Sequence, residues 1–353
     1  MSLSIGIVGL PNVGKSTLFN VLTNKKVEAS NYPFCTIDPN VGVVKVPDHR
    51  LEKIAQISQP AKIIPTFIEF TDIAGLVKGA HEGEGLGNQF LSHIRECDAI
   101  CEVIRDFKDE NVIHVEGEVN PKSDQETINM ELIFADLITV EKRLEKINKE
   151  IKGNAKDAVR QKEILEEIFK LLENGRAVRE LKVKDEDQAF VKSLNLLTIK
   201  PIIYALNSDD TEAPNDFNWD GEIVRINVKM EEEIAQLPEE EQAEYLQELG
   251  ISKSGLDKLI YSSYKLLGLE TFFTTGKDET RAWTIKKGSK APQAAGEIHT
   301  DFEKGFIRAE VINWEKFITA GSEARAKELG WMKTEGKDYI VSDGDICNFL
   351  IGK

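Results

Sequence analysis

A chain of 353 residues has room for two or three domains. Its 41% hydrophobic and 30% charged content describes a folded globular protein rather than a disordered tail. No stretch nears the roughly 18 apolar residues of a membrane span and no leader-like basic and apolar pair opens the sequence, so the expected location is the cytoplasm, with no membrane partner. A net charge of −16 repels naked nucleic acid from most of the surface, so DNA is not an expected partner and RNA can engage only a locally basic face.

Residues 3–8 form an apolar run that reads as a short buried strand, and residues 16–22 carry apolar side chains at helical spacing. Between them, Gly9-Leu10-Pro11-Asn12-Val13-Gly14-Lys15-Ser16 matches G-x-x-x-x-G-K-[ST] at every fixed position. Such a loop turns successive N–H groups toward phosphate oxygens, and the helix behind it presents its positive end to the same oxygens. Lys15 is then placed to bridge the β- and γ-phosphates and Ser16 to ligate Mg²⁺. The loop alone does not choose between a kinase, an ATPase and a GTPase.

Two later features narrow that choice. Residues 31–36 are turn-rich and end in Thr36, whose hydroxyl suits the metal shell of a bound triphosphate. The run 64–71 reads as one strand ending in Asp72-Ile73-Ala74-Gly75, a D-x-x-G in which Asp72 binds Mg²⁺ through water and the Gly75 N–H senses the γ-phosphate. Loop, threonine and D-x-x-G in this order describe a nucleotide switch rather than a metabolic kinase.

The runs G-L-P-N-V-G-K-S-T, N-Y-P-F-C-T and the stretch from Asp72 to Asn88 together resemble the Obg-like ATPases, the YchF family, and the resemblance extends over essentially the whole chain. It implies a translation-factor-class P-loop protein that prefers ATP to GTP and associates with the ribosome, its large subunit in particular. It places Asn12, Val13, Gly14, Lys15, Ser16 and Thr17 around the nucleotide, and it makes a K⁺ ion beside Asn12 a candidate.

Leu76 follows D-x-x-G where a water-orienting glutamine stands in many switch GTPases, and an alkyl side chain cannot align a water. His81, a backbone group or a residue from a partner are the candidates for that task. With no arginine finger in evidence, turnover is expected to be slow. Gly79, Gly83, Gly85 and Gly87 make the stretch after Asp72 a second switch segment. Cys35, Cys97, Cys101 and Cys347 have neither C-x-x-C spacing nor a histidine cluster and read as reduced thiols.

From about Thr127 the pattern becomes a heptad through Met130, Ile133, Leu137, Val140, Leu144, Ile147 and Ile151, and it resumes in Ala158, Gln161, Leu165, Ile168 and Leu172. An antiparallel helical hairpin inserted into the nucleotide domain is expected. Residues 141–200 hold 15 Lys and Arg against 12 Asp and Glu, a net of +3 in an acidic chain. Lys142, Arg143, Lys146, Lys149, Lys152 and Lys156 are candidate RNA contacts, with a solvated coiled-coil face as the equal alternative.

The strand at 201–206 leads into Asn207-Ser208-Asp209-Asp210, where GTP-specific relatives carry N-K-x-D. Asn207, Ser208 and Asp210 are the candidate base contacts. Asp210 is an acid where the resembling family usually has glutamate, which leaves both purines open. Near Asn227-Val228-Lys229, the place of the last base loop, only Lys229 matches the usual S-A-K.

Strands are expected at 271–276, 281–285, 307–311 and 338–341, with a short helix at 297–302. This pattern resembles a TGS domain, an interaction module for RNA or a ligand. Trp283 and Phe306 are weighed as stacking residues against the better-supported reading of core aromatics.

The expected architecture is α/β: a P-loop NTPase G-domain-like sheet (1–127 and 199–275), an inserted α-helical hairpin, or coiled coil (128–198), and a C-terminal TGS-like β-grasp domain (276–353). The expected function is ATP binding and slow hydrolysis with Mg²⁺ by a ribosome-associated switch. A GTPase of the same fold and a nucleotide-stabilised binding scaffold are the alternatives.

Overall fold

The computed structural model describes residues 3–24, 40–73, 86–109, 112, 119–152, 157–214, 216–251 and 254–352. Thr36, Gly75, Leu76 and His81, with Cys35, Lys156 and most of the glycine-rich segment, lie outside the described residues. The backbone forms two units, 1–44 with 69–263 and 45–68 with 264–353.

Strands β1 (Ser4–Val8) and β2 (Val41–Lys45) come first in the chain. The apolar run read as one strand is two, β3 (Lys62–Ile64) and β4 (Phe67–Asp72). Pro65 separates them, because a residue without an N–H interrupts a ladder. β3 belongs to the second sheet and β4 to the first.

The first sheet continues with β5 (Ala99–Asp106), β6 (Ile202–Ser208) and β7 (Glu222–Ile226), in the order β2-β4-β1-β5-β6-β7. β1 pairs in parallel with β4 and β5, and β5, β6 and β7 continue the parallel register. Parallel strands are covered on both faces, which is why β6 is buried at every position and is apolar from Ile202 to Leu206. Helices α1 (Lys15–Asn24), α2 (His49–Ser58) and α3 (Leu86–Glu96) precede the hairpin.

The hairpin consists of α4 (Pro121–Lys152) and α5 (Ala158–Glu173). Its seam is the expected one from Ile133 onward, where Ile133, Val140 and Ile147 pack with Leu165, Ile168 and Leu172, flanked by Leu137, Leu144 and Ile151, whereas Met130 is exposed. α4 starts earlier than the heptad suggested, at Pro121, where the Asn120 side chain accepts the Ser123 N–H at 3.2 Å.

Two polar clusters fasten this arm. Asp136 of α4 is buried and accepts the N–H groups of Leu197 and Thr198 at 2.9 and 2.8 Å and the Thr198 hydroxyl at 2.7 Å. The Tyr204 hydroxyl of β6 donates to Asp220 at 2.6 Å and accepts from Gln125 and Asn129 of α4. Arg179 closes that ring by donating to Asp220 and to Asn129. Helix α6 (Gln188–Ser193) leads back to β6.

Helices α7 (Val228–Ala235), α8 (Glu239–Glu248) and α9 (Gly255–Leu266) complete the first unit and lead into the second. The second unit contains β8 (Leu269–Thr275), β9 (Glu279–Lys286), α10 (Ala291–Ile298), α11 (Thr300–Lys304), β10 (Phe306–Asn313), α12 (Trp314–Ala320), α13 (Glu323–Glu328), β11 (Lys333–Glu335) and β12 (Asp345–Ile351). Its sheet order is β11-β10-β12-β8-β9-β3. β8 pairs with β9 along its whole length and β3 lies beside β9, so this unit takes in residues upstream of 276.

One face of the second sheet packs Ala291, Ala294 and Ala295 of α10 against Phe272, Phe306 and Phe349, and the other packs Leu51, Ile54, Phe317 and Ala326 against Phe273 and Ile346. Phe306 is thus a core residue, and Trp283 stacks on Phe272 of the same cluster with its indole N–H on Thr274. Arg50 fixes α2 to this unit through Asp48 and Asp343. Burial opposes its charge, but the hydrogen bonds to the two carboxylates outweigh that and raise its pKa.

Two expected elements differ. The helix read at 297–302 breaks at His299, whose backbone is extended and whose Nδ1 caps α11. The strand read at 338–341 is an irregular segment with one isolated bridge, Ile340 to Lys290, because its partner turns at once into α10.

Glu102, in the middle of β5 opposite Tyr204, is fully buried, and neither carboxyl oxygen has a hydrogen-bond partner among the described residues. Burial pushes its pKa well above the usual carboxylate range, with the Arg179 charge opposing. The folded chain therefore holds a proton that an unfolded glutamate releases near pH 4.3. The contribution of Glu102 to stability is complete below that pH and declines as pH rises through the folded pKa. Glu102→Gln keeps the shape and removes the titration. Its thermal midpoint should match that of wild type near pH 4 and exceed it by several degrees at pH 8, and a gap that does not vary with pH contradicts a buried neutral acid.

Candidate functional site

The site lies at the carboxyl ends of β1, β4 and β6, where ligands bind in open parallel sheets. The loop leaving β1 passes through Asn12 with φ 64° and Gly14 with φ 94° before α1 begins at Lys15. Gly9 is required because a Cβ there would stand 2.7 Å from the Val103 carbonyl oxygen. Gly14 is required twice over, by its positive φ and because a Cβ would meet the Asn207 amide nitrogen at 2.5 Å.

Lys15 Nζ donates to Asp72 Oδ1 at 3.2 Å and to the Ile73 carbonyl at 3.0 Å. The two side chains are 12% and 22% exposed, so the pair is partly shielded from water. The two residues that sequence assigns to phosphate and metal shell, 57 positions apart in the chain, thus touch. Ser16 is exposed on the first turn of α1, with Thr17 half-buried beside it and Val13 buried below. A serine hydroxyl and a carboxylate are hard oxygen donors of the kind Mg²⁺ takes, completed by water and phosphate oxygens.

Asn207 does more than its assignment as a base contact. Its Nδ2 donates to the Val13 carbonyl at 3.0 Å, and its Oδ1 accepts the Val228 N–H at 3.1 Å. One buried amide therefore ties the phosphate loop to the first turn of α7. Ser208 Oγ donates to the Asp210 carbonyl at 3.1 Å and accepts the Asp210 N–H at 3.3 Å, while Asp210 Oδ1 accepts the Glu212 N–H at 3.0 Å. The loop after β6 is thus a set of short side-chain-to-backbone turns.

Sequence reasoning missed three participants. Asn227 is the N-cap of α7, accepting the Met230 N–H at 3.0 Å, and an asparagine before V-K-M-E carries that signal. Arg225 and Asp106, from β7 and β5, pair at 2.7 Å beside Ser208, and nothing in either strand's pattern marks them.

A family model described as 50S ribosome-binding GTPase matches residues 4–142, and the YchF C-terminal model, described as a protein of unknown function (DUF933), matches 269–352. A Bacillus subtilis (strain 168) protein named ribosome-binding ATPase YchF is 53% identical, with 99% of each chain covered. The chain belongs to the YchF family. An Escherichia coli O157:H7 member of the same name is 51% identical, again over 99% of both. A solved structure described as the Schizosaccharomyces pombe YchF GTPase superimposes with a TM-score of 0.87 at 38% identity, covering 99% of this chain and 98% of that one. Family membership and fold are therefore shown over the full length. Among the described residues no helix is long and apolar enough to cross a membrane.

Asn207→Ala would leave the buried Val13 carbonyl and Val228 N–H without their partner, at about 1–3 kcal/mol for each group. The expected result is a tenfold or greater loss of nucleotide affinity by calorimetry together with a lowered thermal midpoint, whereas a pure base contact would change affinity alone.

Proposed function

We propose that this chain binds ATP with Mg²⁺, hydrolyses it slowly and uses its nucleotide state to control attachment to the ribosome in the cytoplasm. The observation that carries the nucleotide reading is the convergence of Lys15, Asp72 and the Asn207-braced loop at one end of the sheet. The names of the relatives, which call them ribosome-binding ATPases, support hydrolysis and the ribosomal partner.

In this reading Lys15 and the backbone of 12–17 hold the phosphates, and Lys15 exchanges Asp72 for them on binding. Ser16 and Thr36 ligate Mg²⁺, Asp72 orients water in its shell and Gly75 reads the γ-phosphate. Mg²⁺ held there by Ser16 and Thr36 would supply positive charge to the phosphates. Asn12 is the proposed neighbour of a K⁺ ion and His81 the proposed orienter of water. Asp210 reads the base from the loop that Asn207 and Ser208 hold in place.

The hairpin is the proposed RNA contact, on the large subunit. Lys142, Lys146, Lys149 and Lys152 are exposed along α4, whereas Arg143 is tied to Glu150 and Gln161. Lys142 and Lys146 line a groove of about 530 Å³ with Thr139, Ser193 and Phe190, a basic rim on an otherwise acidic chain that suits phosphate groups. The TGS-like domain is the second proposed contact.

A GTPase of the same fold is the second reading, favoured by the acid at Asp210 and by the description of the S. pombe structure. Equilibrium binding of ATP and GTP with Mg²⁺ separates the two. The expected outcome is ATP preferred by at least tenfold, and a ten- to hundredfold loss of affinity in Lys15→Ala, as removal of charged hydrogen bonds to phosphate requires. Preference for GTP would establish the second reading.

A further inference from the structure

Each end of the Asn207 amide bonds a backbone group of the protein, which fixes the side chain in place for a role in the fold. The conformation of the residues that follow it is set from outside the loop. Arg225, on β7, reaches three chain segments with one guanidinium. Its Nη1 donates to Asp106 Oδ2 at 2.7 Å and to Ser208 Oγ at 3.3 Å, and its Nη2 donates to the Pro214 carbonyl at 3.2 Å. The Arg225 side chain is only 9% exposed.

The register explains how these groups meet. Asp106 and Ser208 are opposite one another at the last paired positions of β5 and β6, and Arg225 lies one strand further, opposite Leu206. The guanidinium thus spans the ends of three adjacent strands and the far side of the loop. The Ser208 hydroxyl, accepting from Arg225 and from the Asp210 N–H while donating to the Asp210 carbonyl, has every hydrogen-bonding valence engaged. A planar fork with several fixed donors can do this; a lysine, with a single mobile ammonium, cannot hold the same three partners in one geometry.

We propose that Arg225 is a positioning residue for base discrimination: by clamping Ser208 and Pro214 against Asp106, it fixes the loop that presents Asp210 to the purine. This rests on the reading of residues 207–210 as the base-recognition loop. The hydrogen bonds that Arg225 makes to Asp106, Ser208 and Pro214 lie at the ends of β5 and β6 and in the loop after β6, so the influence proposed for it is on the base end of the nucleotide.

The test separates base from phosphate. Affinities for ATP, GTP and inorganic tripolyphosphate are measured with Mg²⁺ for wild type, Arg225→Gln, Arg225→Lys and Asp106→Asn. The expected result is that Arg225→Gln brings the ratio of ATP to GTP affinity down by about tenfold toward unity, while tripolyphosphate affinity stays within twofold of wild type. Arg225→Lys, which keeps the ion pair to Asp106 without the fork, should fall between, and Asp106→Asn should move the ratio in the same direction.

An unchanged ratio in Arg225→Gln overturns the proposal. So does a parallel loss of ATP, GTP and tripolyphosphate binding in both Arg225→Gln and the milder Arg225→Lys, which would mark Arg225 as a general structural residue. A wild-type preference for GTP removes the ATP reading yet leaves the clamp to be judged by the same variants. A wild type that binds ATP and GTP no better than tripolyphosphate removes the base-loop reading and the clamp with it.

Discussion

The amide of Asn207 is the constraint on which the nucleotide site depends. It occupies the space that a side chain at position 14 would need, accepts the first turn of α7 and donates to the carbonyl of Val13. A phosphate loop works only if its N–H groups point inward together, and that requires the carbonyls between them to be held outward. Asn207 supplies a fixed partner for one of those carbonyls from a neighbouring strand. The parallel sheet makes this possible, since β1 and β6 flank β5 and end on the same side.

The same economy recurs elsewhere in the first unit. Asp136 takes three donors from the segment entering β6, and burial pushes its pKa up despite those hydrogen bonds. Tyr204, Asp220, Arg179 and Asn129 form a closed ring between α4 and the sheet. The inserted hairpin is therefore bound to the strand that carries Asn207 by directional polar contacts, while its leucine and isoleucine seam holds α4 and α5 together. In the second unit Arg50 plays the matching part, joining α2 to the turn at Asp343 and lying 5.3 Å from the centre of the Phe273 ring.

Relatives of this chain carry both names, ATPase for the bacterial proteins and GTPase for the yeast structure. The geometry accounts for why a motif comparison of 207–210 settles so little. Asn207 serves the fold, and the side chains after it are engaged in local turns, so residue type alone does not describe this loop. Arg225 and Asp106 belong to that loop physically although they lie about 17 and 100 positions from it in sequence.

The sequence by itself determined the phosphate loop, the D-x-x-G strand end, the heptad seam and the family, because each is local or periodic and needs no knowledge of what packs against it. It also led to errors with a common cause. The run 64–71 looked like one strand because its hydropathy is continuous, yet Pro65 divides it between two sheets. Residues 338–341 looked like a strand because their composition suits one, but a strand needs a partner, and the segment beside them bends into a helix. Only the tertiary structure brought Lys15 to Asp72, Asn207 to Val13, and Arg225 to Asp106 and Pro214. These contacts depend on strand order and register, and a parallel sheet sets both through crossovers whose endpoints no local pattern records.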